Sequence, residues 1–269
     1  MNCYKFYPMR FTDGIFNEID ATYVIHLEGN GRLNKIKEQL TRYHPTNQVY
    51  ILFNKGYKKC KKSPNITIPP LDLVDAFLTC FKHANNQNYK NILILEDDFM
   101  FSDAVFQGAP NIDQFLRDNK GPYVYHLGIV PYLQTPTKAT IKNKITGKDG
   151  NTWNALVSTG MHACIYTPEI RTQILSEDQQ KITDWDLFLN INATRYAYEE
   201  PLCFQLFPAT ENSKHWDNTF GISEFLKWLF NLFGMDESIQ GYTFFYLFSK
   251  CIIPIILILI FLIAIFLVF

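Results

Sequence analysis

The chain has 269 residues, of which 47% are hydrophobic and 16% aromatic, so it can bury a substantial core and is not a disordered protein. Its formal net charge is −1 and its Lys and Arg residues form no long basic block, which argues against DNA or RNA as a partner. The six cysteines include no C-x-x-C pair, so we predict free thiols in a reducing compartment rather than a zinc knuckle or a disulfide scaffold.

The first half of the chain alternates short apolar strands with amphipathic helices. Residues 1–20 are predicted to be an N-terminal extension that lacks the pattern of a signal peptide. The predicted strands are 21–27, 49–53 and 92–95, and the predicted helices are 33–43 and 71–84. This alternation predicts an α/β fold around a mainly parallel sheet, in which ligands collect at the carboxyl ends of the strands.

The second half has weaker signals. We predict strands at 123–127 and 163–166, a polar stretch from about 135 to 151, and a helix near 184–193, with the globular domain covering residues 21–215. Residues 216–250 are predicted to be an amphipathic juxtamembrane segment. Within it, 222–233 would lie on the membrane as an interfacial helix, or else pack back onto the domain.

Residues 251–269 read CIIPIILILIFLIAIFLVF and are apolar around the whole circumference of a helix. A helix of this length reaches roughly 27–28 Å, which is enough to cross a thin bilayer. Pro254 would lie in the first turn and Lys250 would anchor the cytosolic side. We therefore predict a single-pass, tail-anchored protein with a cytosolic body, in which the glycosylation patterns at Asn65 and Asn192 are unused. A buried core helix is the alternative.

Three adjacent acids, Glu96, Asp97 and Asp98, follow the apolar strand 92–95. If the strand continued through them, its pleat would put Glu96 and Asp98 on one face. Such oxygen ligands suit Mg²⁺ or Mn²⁺, which completes its coordination with water and substrate phosphates. A turn or a helix cap is the alternative explanation for the same acids.

Two further stretches carry groups that can do chemistry. Asp184 and Asp186 flank a tryptophan at the start of a predicted helix, where one would be the N-cap and the other a general base. His162 follows a glycine-containing turn and precedes an apolar strand. Its ring would line a pocket, or else be a structural histidine of the core.

Four stretches together resemble glycosyltransferase family 25, which includes lipopolysaccharide-synthesis galactosyl- and glucosyltransferases and the collagen galactosyltransferases. YVIHLEGNGRLNKIKEQL resembles the family's first strand, arginine-containing loop and helix, and NYKNILILEDDF resembles its acidic strand. STGMHACIYTPE and WDLFL resemble its Thr-His-Ala strand and its Asp-containing helix. The four stretches follow the family's order, and the likeness covers residues 21–215.

The resemblance implies a GT-A fold, with a Rossmann-like nucleotide half joined to an acceptor half. It implies that Glu96 and Asp98 hold a Mn²⁺ or Mg²⁺ ion, and that Asp186 takes the proton of the acceptor hydroxyl. The implied nucleotide-sugar contacts are His26, Arg32, Asn54, Lys55, Glu96, Asp97 and His162. For Asn54 and Lys55, a solvated basic loop remains the alternative.

The resemblance thus implies a membrane-anchored enzyme that moves a hexose, from UDP-galactose or UDP-glucose, to a hydroxyl of a glycan, lipid-linked or protein acceptor, with inversion. The chain departs from the family at His26, where the family usually has Asn, in lacking a second Arg in the first loop, and in the helix before the acidic strand. These departures indicate a divergent branch and leave donor and acceptor open.

Two alternatives stand beside this hypothesis. Haloacid-dehalogenase phosphatases also end an apolar strand with acids that bind Mg²⁺, but their nucleophile is an Asp at the position that Glu96 occupies here. The other alternative is a tail-anchored adaptor that keeps a glycosyltransferase fold without activity. An acid cluster that no longer supports catalysis has no chemical reason to persist, which favours the enzyme.

Overall fold

The computed structural model describes residues 3–147, 152–205, 228, 231–232, 234 and 239–268. The strands are β1 (Tyr4–Arg10), β2 (Ala21–Leu27), β3 (Gln48–Asn54), β4 (Ile92–Glu96), β5 (Phe99–Phe101), β6 (Tyr123–Pro136), β7 (Thr152–Tyr166), β8 (Thr194–Tyr198) and β9 (Cys203–Gln205). The helices are α1 (Leu33–Tyr43), α2 (Pro69–Asn86), α3 (Val105–Asp118), α4 (Lys138–Thr146), α5 (Pro168–Ser176), α6 (Trp185–Asn192) and α7 (Ile239–Val268), with a short 3-10 helix at Gln179–Lys181.

One seven-stranded sheet, in the order β1-β3-β2-β4-β7-β6-β8, forms the centre of the molecule. Its central strands are apolar on both faces because helices cover both sides. On one side, α1 and α3 bury side chains such as Leu40 and Ile112. On the other side, α2, α5 and α6 bury a cluster that includes Phe77, Phe81 and Trp185. The predicted α/β class is confirmed.

The sheet is mixed rather than mainly parallel. β2 runs parallel to both β3 and β4, as the strand–helix alternation predicts. β7 is antiparallel to both β4 and β6, while β8 returns parallel to β6. The parallel strands β3, β2 and β4 end at one edge of the sheet, and the acidic sequence after β4 lies there.

Residues 4–10 belong to the sheet, which corrects the prediction of a separate extension over 1–20. They form β1, which pairs antiparallel with β3 from Tyr4 opposite Asn54 to Arg10 opposite Gln48. Tyr4 and Phe6 pack against the core on the α2 side. The sequence analysis did not predict this edge strand, because its lysine and arginine interrupt the short alternation of aromatic side chains that would indicate a strand.

The polar stretch predicted from about 135 to 151 is partly regular structure. β6 and β7 are each more than twice as long as predicted, and they pair as far as Pro136 opposite Trp153. α4 follows β6 directly, and its N-cap is Thr137, whose side chain accepts a hydrogen bond from the Thr140 amide. The start of β7 also pairs with β8, from Thr152 opposite Tyr198 to Asn154 opposite Tyr196, so the long β6–β7 pair stays part of the sheet.

The C-terminal helix is longer than the predicted 251–269 span and begins inside the body. Tyr242, Phe245, Tyr246 and Ser249 are buried against the domain, and Ser249 donates a hydrogen bond to Gln134 Oε1 (2.9 Å). From residue 254 onward every side chain that the structure describes in α7 is exposed. By length and composition, 241–263 is long and apolar enough to cross a membrane. The predicted interfacial helix 222–233 lies largely outside the described residues.

Pro254 is inside α7 and not in its first turn, because the helix begins at Ile239. It has no N–H to donate to the carbonyl of Lys250, so that carbonyl lacks its usual partner within the helix. Proline at such a position is tolerated in membrane helices.

The prediction of free thiols is wrong for two of the six cysteines. Cys3, just before β1, and Cys60, in the loop after β3, form a disulfide across 57 positions of sequence. The others, Cys80, Cys164, Cys203 and Cys251, are free. Sequence spacing missed the pair because the register of β1 on β3, and not a local motif, brings the two residues together.

Candidate active site

Asp97 is held by groups from the loop after β2. Its carboxylate accepts hydrogen bonds from Arg32 Nη1 (2.5 Å), from the Leu27 amide (3.1 Å) and from Asn30 Nδ2. His26 Nδ1 lies 3.5 Å away. Burial opposes ionisation, but His26, Arg32 and the Leu27 amide outweigh it and lower the pKa of Asp97 below its usual value. Asp97 therefore connects β4 to the arginine-containing loop.

Asp98 is buried beside the same arginine. One carboxylate oxygen, Oδ2, accepts hydrogen bonds from Arg32 Nη1 (3.2 Å) and Gln205 Nε2 (3.0 Å). The other oxygen, Oδ1, is buried and has no hydrogen-bond donor among the described residues. Burial, followed by the charge of Asp97, raises the pKa of Asp98 to about 6, against the opposing effect of Arg32.

Glu96 is the last residue of β4 and is only half-buried. Its pKa is raised well above the usual value, first by burial and then by the negative charges of Asp98 and Asp186. The pleat does not pair Glu96 with Asp98 as the sequence argument assumed, because β4 ends at Glu96 and Asp98 lies in the turn that follows. The turn nevertheless keeps these carboxylates close enough to repel each other.

The two aspartates around Trp185 have different roles. Asp184 is the N-cap of α6, as predicted for one of them, and its side chain accepts a hydrogen bond from the Leu187 amide (2.8 Å). Asp186, in the first turn, accepts a hydrogen bond from the Gly160 amide (2.7 Å). Burial raises the pKa of Asp186 to about 6. A carboxylate with such a pKa is suited to accept a proton near neutral pH.

His162 is a core residue in this structure. Its ring is completely buried, Nε2 donates a hydrogen bond to the Cys203 carbonyl (3.3 Å), and the ring meets Tyr242 of α7 edge-on. Burial lowers the pKa of His162 to about 4, so the ring is neutral at physiological pH. The structural alternative fits this geometry better than the pocket-lining one.

Asn54 is occupied by structural contacts. Its Nδ2 donates to Asp72 (2.8 Å), and its Oδ1 accepts from the Gly56 amide (2.8 Å) and from Lys62 Nζ (2.8 Å). Lys55 is half-buried, and its amide donates to the Cys3 carbonyl. Neither residue is brought to the acidic cluster, and Asn54 stabilises the loop that carries Cys60.

A groove of about 650 Å³ opens at the carboxyl ends of β2 and β3. Its lining includes His26, Glu28 and Phe53, together with Lys5 and Tyr7 of β1. The groove therefore combines two aromatic rings and one cation beside the loop of Arg32. The sequence analysis did not identify Lys5, Tyr7 or Gln205 as site residues. The alternating aromatic residues of β1 are a signal that could have revealed Lys5 and Tyr7. Gln205 lies in no local sequence pattern that would indicate a site.

No family model matches this sequence, and no curated protein matches it. Among solved structures, the chain is similar to a glycosyltransferase involved in the glycosylation of the major capsid of PBCV-1. The likeness covers 78% of this chain and 99% of that one, at 11% sequence identity and a TM-score of 0.39.

Proposed function

We propose that the chain is a membrane-anchored glycosyltransferase that moves a hexose from a nucleotide-sugar donor, UDP-galactose or UDP-glucose, to a hydroxyl acceptor. The observation that carries this proposal is that the charges of Asp98 and Asp186 both raise the pKa of Glu96. Two segments far apart in sequence supply these carboxylates, and the pKa of each is raised. Such clusters of perturbed acids are typical of sites where charge and protons move.

In the proposed reaction, Asp186 accepts the proton of the acceptor hydroxyl as its oxygen bonds to the anomeric carbon. The bond from that carbon to the diphosphate oxygen breaks, and the nucleoside diphosphate leaves with the electron pair. A single displacement of this kind inverts the anomeric carbon. The groove beside Arg32 would hold the nucleotide against the side chains of Tyr7 and Phe53.

Glu96 and Asp98 fit a Mn²⁺ or Mg²⁺ ion in one respect: Asp98 Oδ1 is buried without a donor among the described residues. No group of three or more His, Cys, Asp or Glu residues in the described part of the chain could hold a metal ion. A magnesium-type site needs only one or two carboxylates and takes its other ligands from water and phosphates. Bound there, the ion would stabilise the charge of the leaving diphosphate.

One observation favours the adaptor hypothesis: Arg32 forms ion pairs with two carboxylates of the proposed site. Its guanidinium contacts both Asp97 and Asp98 and offsets part of the negative charge that a metal would otherwise balance. Family 25 remains a proposal carried by the four sequence stretches alone. The enzyme and the adaptor differ in one measurable property, the binding of a nucleoside diphosphate.

The decisive experiment uses the full chain in phospholipid vesicles with a panel of nucleotide sugars, with and without Mn²⁺. We expect release of a nucleoside diphosphate, and stabilisation by that product only when the metal is present. Asp186→Asn should lose transfer by at least about 100-fold while retaining donor binding, and Asp98→Asn should lose both. Asp184→Asn is the matched control at pH 8, because Asn also caps helices well.

Wild-type turnover by both Asp186→Asn and Asp98→Asn would refute these roles. Absence of any nucleotide effect on the wild-type chain would favour the adaptor.

A further inference from the structure

α4 is a short basic helix that exposes two isoleucines. Ile141 and Ile145 are one helical turn apart and are 49% and 80% exposed. The helix contains Lys138, Lys142 and Lys144 and no acidic residue. Exposed isoleucines can insert between lipid headgroups, and lysines on the same helix can contact anionic lipid.

The position of α4 is fixed relative to the place where α7 leaves the body. Lys144 Nζ of α4 and Lys250 Nζ of α7 both lie 4.8 Å from the centre of the Trp153 ring. The hydroxyl of Thr140 also donates to the Thr152 carbonyl, which fastens α4 to the start of β7. From residue 254 onward α7 is exposed and apolar, so α4 is level with the start of the exposed part of α7.

The packing of α7 on β6 independently places α4 beside the point where α7 leaves the domain. Tyr246 of α7 packs with Ile129 of β6, and one turn later Ser249 bonds to Gln134. β6 and α7 therefore advance in the same direction, and α4 follows the end of β6 just as the exposed part of α7 follows Ser249. α4 is therefore placed where it could meet the surface of a bilayer that α7 enters.

We propose that α4 is a second membrane contact, which docks on an anionic bilayer surface with Ile141 and Ile145 between the headgroups. The lysines would lie against negatively charged lipid, and the body would be held in one orientation by two points instead of one. This inference rests on the insertion of α7, which is part of the proposed function.

The test is hydrogen exchange of residues 138–147 in the full chain, reconstituted in phosphatidylcholine vesicles with or without phosphatidylglycerol. We expect exchange about tenfold slower in the anionic vesicles, since each lysine near such a surface gains electrostatic attraction. Ile141→Ser with Ile145→Ser, and separately Lys138→Gln with Lys142→Gln, should abolish the difference. Lys82→Gln with Lys181→Gln is the matched control, because these exposed lysines lie on other elements and should leave it unchanged.

Extraction with alkaline carbonate separates failure of the premise from failure of the inference. A chain that remains in the vesicles and yet shows equal exchange of α4 in both lipids would overturn the α4 contact alone. A chain that carbonate releases would overturn the anchor and the α4 contact together, while nucleotide-sugar turnover would remain a separate measurement.

Discussion

The carboxylate of Asp186 has a pKa of about 6 because burial disfavours its charged form, and the charge of Asp184 adds to the shift. As a base, Asp186 works only when deprotonated. We therefore expect kcat at saturating donor to fall about tenfold per pH unit below pH 6. Asp184→Asn removes a neighbouring negative charge, so it should lower the pKa of Asp186 and move this acid limb to lower pH.

A pH profile of kcat for the wild type and for Asp184→Asn measures both effects. An acid limb that stays in place in the variant would show that another group, such as Asp98, controls it. Using kcat rather than kcat/KM limits the contribution of donor binding, in which Asp98 is proposed to act.

Arg32 supplies the positive charge beside the acidic cluster 96–98. The sequence did not reveal this pairing because Arg32 lies more than 60 positions before the cluster. Its Nη1 contacts Asp97 and Asp98, whose side chains are only 11% and 5% exposed. Arg32→Gln leaves two buried carboxylates without their cation, and we expect a loss of about 2–4 kcal/mol in the free energy of unfolding. Adding Asp97→Asn should recover about 1–3 kcal/mol of that loss, as expected for groups in contact.

Urea unfolding followed by tryptophan fluorescence gives these values for the chain in detergent. Arg42→Gln is the matched control, because its ion pair with Asp103 is 59% and 69% exposed and should be worth less than about 1 kcal/mol. Additive effects of Arg32→Gln and Asp97→Asn would contradict the structural role of the pair.

The sequence alone identified the acidic and polar residues that could act in a site. It did not identify the residues that they contact in the folded chain. The acids after β4 and the cap of α6 follow from local pattern alone. Whether Asn54 binds a ligand or supports a loop depends on Lys62 and Asp72, which approach it only in the folded chain. His162 is decided in the same way, because the strand β9 and helix α7 that bury it lie 40 or more positions away in sequence.

β6 and β9 approach each other so closely at Gly128 that no side chain fits. A Cβ there would lie 1.8 Å from the Cys203 carbonyl oxygen and 2.7 Å from His162 Nε2. Because the obstacle is backbone, we expect Gly128→Ala to cost more than about 3 kcal/mol and to reduce the yield of folded protein. Gln205, which holds Asp98, lies two positions after Cys203 and would lose its support.

Gly108→Ala is the control for that substitution. Its Cβ meets the end of the Leu202 side chain, which can move, and alanine is the better helix former by about 1 kcal/mol. Thermal unfolding of both variants should show a much smaller loss for Gly108→Ala. Equal losses would mean that the contact between β6 and β9 is not critical.

Strands and helices with a strong local pattern were predicted to within two or three residues. β2 and α1 have the predicted bounds, and β4 ends one residue later than predicted. The extension of β6 and β7 was not predictable, because its bulged strands are supported by elements distant in sequence. Tyr246 of α7 packs with Ile129 and Ala155, and β8 pairs with the start of β7. Long-range packing overrides propensity in such segments.

The first turns of α7 are part of the globular body, which determines where the chain can be cut. A chain that ends at Lys250 keeps Tyr242, Phe245 and Tyr246 in the core, so we expect it to fold and to leave the membrane. A chain that ends at 238 loses all three rings, each worth about 1.5–3 kcal/mol of burial. It should therefore unfold at a lower temperature or aggregate.

Ultracentrifugation after expression, followed by thermal unfolding, compares the two truncations. Continued membrane association of the chain ending at Lys250 would transfer the anchoring role to α4 or to residues 222–233. Equal stability of the two chains would contradict the docking of α7 on β6.

The disulfide between Cys3 and Cys60 reports the side of the bilayer on which the body folds. Glutathione in the cytosol keeps such pairs reduced, whereas the endoplasmic reticulum and the cell exterior preserve them. Electrophoresis of freshly alkylated cells without reductant would therefore reveal the orientation of the protein. If the bond is intact there, the body faces away from the cytosol, and the exposed Asn65, five positions beyond Cys60, becomes accessible to the cell's oligosaccharide-attaching machinery.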